Sequence, residues 1–296
     1  MTGNTRSDSF VRMMPVVFVL IWSTGFIVAR YGMPHGPPMH FLAIRYALSV
    51  LCFLFWIWLA GSRWPQTRMQ WWHLAITGVL MQAGYLGGVW AAVKAGMGSG
   101  VSALVVGLQP VLTAIWMSAT GARVSARQWT GLVLGLAGLV LVVSGKFDSG
   151  SAQDHVDMVN LSLVLVALVS ITVGTLYQKR FIAPCDVRNA NAIQMTAAFV
   201  VTLPLALLER ESMVWNGESV GAMAWSVLVL TLGGSSLLYL LIQRGAATSV
   251  TSLFYLVPPT AAVMAWVLFN EPITVFTVIG MGITALGVSL VVRART

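Results

Sequence analysis

Residues 90–110 read WAAVKAGMGSGVSALVVGLQP, and residues 239–259 read YLLIQRGAATSVTSLFYLVPP. Set at an offset of 149, Trp90 falls on Tyr239, Lys94 on Gln243, Gly96 on Gly245, Val101 on Val250, Leu104 on Leu253 and Pro110 on Pro259. The same offset carries Gly84 onto Gly233, Gly131 onto Gly280 and Gly138 onto Gly287, with no gap. It also carries Arg30 onto Lys179 and Arg45 onto Gln194. Apolar residues match by chance easily; prolines and glycines in register do not. The chain is therefore read as two copies of one unit, each about half its length.

Composition fixes the solvent. Charged residues make 9% of the chain and hydrophobic ones 57%, with a mean hydropathy of +0.83. A soluble domain carries about 25% charge. Seventeen basic and nine acidic side chains cannot cover a soluble fold of 296 residues, so the chain is an integral membrane protein. Its net charge of +8 is first explained by the excess of Lys and Arg in cytoplasmic loops, and a nucleic-acid partner is excluded. Cys52 in an apolar run and Cys185 in a short polar loop give no disulfide framework and no Cys-rich metal site.

Apolar runs between polar breaks predict ten spans, at 13–31, 40–60, 71–94, 98–119, 126–144, 160–178, 189–208, 221–242, 247–268 and 273–292. The first run ends without a small-residue cleavage site and is read as an uncleaved span. Arg30, Lys94, Lys146 and Arg210 fall on one side of the membrane, and the other Lys and Arg, save Arg45, fall on the side of the termini. Both termini are therefore expected in the cytoplasm. Residues 1–144 form the first repeat, 145–159 the linker and 160–296 the second repeat. Five spans per repeat is an odd number, so the second copy enters the membrane from the opposite face. The expected fold is all-α: ten transmembrane helices in two inverted five-helix repeats around a central cavity. Secondary transporters share this architecture, with the substrate site near mid-membrane and alternating access by rocking.

Trp22-Ser23-Thr24-Gly25-Phe26 with Arg30 eight residues past the Trp, Arg45 in the second span and Pro110 in the fourth resemble the opening of an EamA-type unit. Asn270-Glu271-Pro272 followed by Gly280 and Gly287 resembles its helix-loop-helix close. The resemblance covers nearly the whole chain, twice. It implies a multi-pass bacterial inner-membrane protein of the drug/metabolite transporter superfamily, most similar to YddG-type exporters of aromatic and other amino acids. The halves differ where Ala122-Arg123 answers Glu271-Pro272 and Ile171 answers Trp22.

Depth along each span singles out candidate cargo contacts at Trp22, Gln82, Tyr85, Gln109, Tyr239 and Tyr255, and Trp90 joins them as the repeat partner of Tyr239. Aromatic rings offer apolar faces to a side chain and can seat an ammonium. Gln82 and Gln109 are amides in apolar surroundings, read either as interhelical bridges or as cargo contacts. Pro110, Pro258 and Pro259 lack backbone donors and kink their spans at matching positions. Gly233 and Gly234, ahead of Ser235 and Ser236, mark either a hinge or a close crossing. Arg45 and Lys94 are candidate charge contacts, with Arg45 also able to snorkel to the outer surface. Trp56, Trp58, Trp64, Trp71, Trp72, Trp129 and Trp215 fit interface belts.

No Asp or Glu falls well inside a span, and Glu271 is read as the cap of the tenth helix. Such a cavity suits apolar or zwitterionic cargo and fits polyphosphates poorly. His35, His40, His73 and His155 lie at span ends or in loops, without HExxH or GxSxG. No enzyme activity, cofactor or metal is expected. The Gly131/Gly135 pair is expected to pack against helix four or nine rather than to dimerise, so a monomer is expected. The leading reading is an exporter of aromatic or hydrophobic amino acids; the alternative is a broad drug or toxic-metabolite exporter.

Overall fold

The computed structural model describes residues 5–119, 125–144, 155–234, 237 and 256–293. Its helices follow the apolar runs. They are α1 (Thr5–Gly32), α2 (Pro38–Ala60), α3 (Arg68–Lys94), α4 (Ser99–Val106 and Gln109–Ala119), α5 (Ala126–Ser144), α6 (Met158–Phe181) and α7 (Val187–Leu208). Then come α8 (Gly217–Ala224, continuing as Trp225–Gly234), α9 (Val257–Phe269) and α10 (Val275–Arg293). Five of them are long and apolar enough to cross a bilayer: Val16–His35, Pro38–Ala60, Arg68–Lys94, Met158–Phe181 and Val187–Leu208. Four shorter apolar helices accompany them. The chain is an all-helical multi-pass membrane protein.

Local chemistry sets the helix ends. Asp157 and Asn160 form a reciprocal cap on α6, as Asn216 and Ser219 do on α8. The Asn160 backbone N–H holds the Asp157 carboxyl below the usual carboxylate range. Gly61 and Asn270 close α2 and α9 in the left-handed region, at φ 60° and 53°. The outward faces stay apolar: Leu51, Phe55, Leu207 and Leu208 are exposed. Hydrocarbon carries no penalty for these faces. Trp58, Trp64, Trp71, Trp72, Trp129 and Trp215 are exposed near helix ends, while Trp56 is half-buried.

Packing runs between the halves. α2 lies on α7, α4 on α9, and α5 on α10. α3 lies on α6, and its counterpart pair α8 and α1 also pack. Exchanging the two halves leaves this set of pairs unchanged, as a two-fold relation requires. The α5–α10 crossing repeats it at atomic scale. A Cβ on Gly138 would stand 2.5 Å from the Gly280 carbonyl, and one on Gly287 would stand 2.5 Å from the Gly131 carbonyl. The 149-residue offset swaps these two contacts. Gly135 faces helix four as expected, a Cβ there standing 3.3 Å from Val111 and 3.5 Å from Leu108, while the larger contact of α5, which the sequence did not indicate, is with α10.

α3 and α8 each contain a π-helical segment, at Val79–Gly84 and Trp225–Gly234. The offset places the first inside the second. Wider turns weaken the regular carbonyl pairing, and hydroxyls take up the loose carbonyls. Tyr46 Oη donates to the Gln82 carbonyl at 2.8 Å, and Thr231 Oγ1 to the Ser226 carbonyl at 2.9 Å. Segments of this kind are rare and concentrate at functional sites.

Candidate functional site

At the Arg30–Lys94 end of the helices lies a vestibule of about 490 Å³, walled by Arg30, Tyr31, Lys94, Glu218 and Phe269. Lys94 Nζ donates to Glu211 Oε1 at 2.7 Å and to the Met33 carbonyl at 3.0 Å. The loop after α7 is tied to the first half by carboxylates. His35 Nε2 lies 2.9 Å from Glu218 Oε2, and His40 Nδ1 lies 3.1 Å from Glu209 Oε2. Sequence reading missed these pairs, since the partners stand over 160 residues apart and no spacing joins them.

One helical turn below Lys94, Trp90 is 1% exposed and packs on Phe41, with ring centroids 4.6 Å apart. Gly32 sits against both rings; a Cβ there would stand 3.2 Å from each. Trp90 and Phe41 thus form a closed layer beneath the vestibule, and Trp90 belongs to the packed core of this conformation. Tyr85, at 9% exposure, belongs to the same core cluster.

Beneath that layer lies Arg45. It is 5% exposed, so it does not snorkel to the surface. Its Nη2 donates to Thr231 Oγ1 at 3.2 Å, and its Cζ lies 6.0 Å from the centre of the Trp90 ring. The fork is thus held at the meeting of α2 with the π segment of α8.

The remaining candidates divide. Gln109 Nε2 donates to Thr175 Oγ1 at 2.9 Å, a bridge between α4 and α6. Gln82 is half-buried in the α3 π segment, and its amide has no hydrogen-bond partner among the described residues. Trp22 is half-buried, beside Phe18 and facing Gly234. Among the described residues a Cβ on Gly233 or Gly234 would meet nothing nearer than 3.5 Å, so no close crossing with them demands these glycines. α4 is interrupted at Gly107-Leu108, just ahead of Pro110. Pro258 and Pro259 occupy the first turn of α9, where the missing N–H has no helical partner to lose. Pro258 packs on Gly107 of α4. Tyr239 and Tyr255, with Ser235 and Ser236, lie outside the described residues. No group of His, Cys, Asp and Glu suited to a metal occurs among the described residues.

Glu271 is buried at 6% exposure. Its Oε1 accepts from Ser99 N at 3.0 Å and from Ser99 Oγ at 2.8 Å; Oε2 accepts from Gly100 N at 3.4 Å. It therefore caps α4 across the boundary between the halves, and the expectation that it caps helix ten is corrected. The start of α4 offers unpaired N–H groups and a positive dipole end, which draws a carboxylate.

The fold has solved counterparts. One crystal structure, 16% identical, superposes with a TM-score of 0.63 over 95% of this chain and 96% of that chain. Among curated proteins, the inner membrane transporter YedA of Escherichia coli K12 is 26% identical, covering 93% of this chain and 88% of its own length. A transporter of Archaeoglobus fulgidus is 26% identical over 96% of this chain and 97% of its own. A probable amino-acid metabolite efflux pump of Salmonella typhimurium is 22% identical over 91% and 89%. The EamA-like transporter family model matches residues 12–144 and again residues 158–293. Two tandem matches, on an all-helical membrane fold whose halves pack by a two-fold rule, make the chain a member of the EamA-like transporter family.

Proposed function

We propose that the chain exports small amphipathic metabolites, aromatic and hydrophobic amino acids first among them, by alternating access. The supporting observation is the chemistry of the spans. Among the described residues no Asp or Glu lies deeper than a first helical turn, while Trp22, Tyr85 and the free amide of Gln82 stand at mid-span depth. A pump for cationic drugs needs a membrane carboxylate for cation or proton; a zwitterion with an apolar side chain does not. The efflux-pump relative bears on the same reading.

The test is purified protein in proteoliposomes, with labelled phenylalanine, leucine and serine against a cationic aromatic dye. Phenylalanine and leucine are expected to move and the dye is not. Trp22→Ala is the informative variant, because half-buried Trp22 can be removed without emptying the core as Trp90→Ala would. It should weaken phenylalanine about five- to thirtyfold, the loss of one stacking ring, and leave serine unchanged. Dye export with no amino-acid transport would sink this reading in favour of the drug exporter.

The same reading requires both termini in the cytoplasm. A reporter active only in the periplasm should be active when fused at Gly150 and silent when fused after Thr296. The reverse pattern overturns the orientation.

A further inference from the structure

We propose that Arg45 is the anchor for a carboxylate on the cargo, so that the transporter selects anionic or zwitterionic solutes. This rests on the reading of the chain as an exporter of amphipathic metabolites and narrows its substrate class.

The argument begins with what Arg45 lacks. A guanidinium has five donors and always carries its charge. Here it is 95% removed from solvent, and among the described residues its one hydrogen bond goes to a neutral hydroxyl, Thr231 Oγ1. Arg45 Nε is buried with no partner among the same residues. The charged and polar groups that bear on it are Tyr46 and Tyr85, with no Asp or Glu among them. Burying a cation without an anion is costly enough that proteins rarely do so except where a ligand completes the pair.

Two more orphans stand on the same helix pair. Among the described residues Ser49 Oγ, one turn further along α2, and Ser226 Oγ, whose own carbonyl is taken by Thr231, are buried without partners. A cation and two hydroxyls with unused donors are what a planar carboxylate with two acceptor oxygens requires. The buried Trp90 ring over the guanidinium backs the charge from the side of the core.

The other half supports the assignment by contrast. The 149-residue offset carries Arg45 onto Gln194 and Thr231 onto Gln82. The equivalent pair of helices therefore presents amides instead of a cation, with the Gln82 amide unpaired among the described residues. The Arg45 site takes an anion, and the Gln82 segment, reached by the neighbouring Tyr46 Oη at 2.8 Å, offers a neutral amide beside it, which suits a solute with a carboxylate at one end and an ammonium at the other.

The test uses two probes of one shape, 3-phenylpropionate and its neutral amide, on the purified full-length protein. Phenylpropionate is expected to raise the melting temperature of wild type and to bind at least about tenfold tighter than the amide, because one oxygen pair engages the charge. Arg45→Met should melt at or above wild type without probe, since it removes an unpaired buried charge, and should lose the acid response. Arg45→Lys keeps the charge but not the fork and should retain a weaker acid preference; it carries the test if the Met variant does not insert. Equal responses of wild type to acid and amide, including none to either, overturn the anchor. So does an acid preference that survives in Arg45→Met. A clear acid preference without phenylalanine transport in proteoliposomes sinks the amino-acid reading and leaves the anchor standing.

Discussion

Gly287→Leu is expected to yield no folded transporter, and Gly287→Ala a protein less stable by about 2 kcal/mol. At the α5–α10 crossing the atoms facing a new Cβ are backbone: the Gly131 carbonyl and Gly135 N, each at 2.5 Å, and Gly135 Cα at 3.0 Å. Backbone cannot rotate aside as a side-chain tip can, so the helices must separate. Overpacking costs about 3 kcal/mol here, the upper end of the usual range because the obstructing atoms are backbone, set against a gain of about 1 kcal/mol in helix propensity. A leucine adds three more carbons to a gap that has no room for one. Gly282 on the same helix is the control, because a Cβ there meets nothing within 4 Å among the described residues. Gly282→Ala should be neutral or stabilising. Thermal unfolding of the detergent-solubilised variants reads all three, and equal melting of Gly287→Ala and Gly282→Ala would show that the crossing is loose.

Glu271→Ala is expected to lower stability by about 3–5 kcal/mol, with Glu271→Gln about half as severe. The alanine leaves Ser99 N, Ser99 Oγ and Gly100 N without the acceptor that now holds them. Each buried unsatisfied donor costs about 1–3 kcal/mol. Glutamine keeps one acceptor oxygen and loses the charge that answers the α4 dipole. Melting temperature and membrane yield check the order wild type, Gln, Ala. Transport per correctly inserted molecule should change far less than yield. A well-folded Glu271→Gln protein without transport at any pH would mean that Glu271 takes part in coupling, not only in capping.

The features legible in the sequence were those with a period. Membrane residence came from the scarcity of charge, the spans from apolar runs, and the repeat from glycines and prolines in register. What the sequence hid was mostly partnership over long separations. Glu271 reads as a helix-ten residue because Pro272 adjoins it, yet its ligands sit 171 and 172 residues away. Gly131, Gly135 and Gly138 announce a close crossing without naming its partner. Arg45 was conspicuous by depth, but whether it reaches the surface depends on the rotamer and the lid above it, which no spacing encodes. Gln109 resolved to a bridge only when Thr175 came within reach. The π segments left no sequence mark, since their glycines suit a crossing equally well.

Those two widened segments also bear on how the halves keep step. A π turn accommodates one residue more than an α turn, so it swings every later side chain of its helix by about 100°. Val79–Gly84 in α3 and Trp225–Gly234 in α8 coincide under an offset that runs without a gap. A residue gained or lost in one of them alone would turn the remainder of that helix to a different face from its counterpart. The widened segment thus acts as a shared register mark, held in both halves while Arg45 and Gln194, or Trp22 and Ile171, differ.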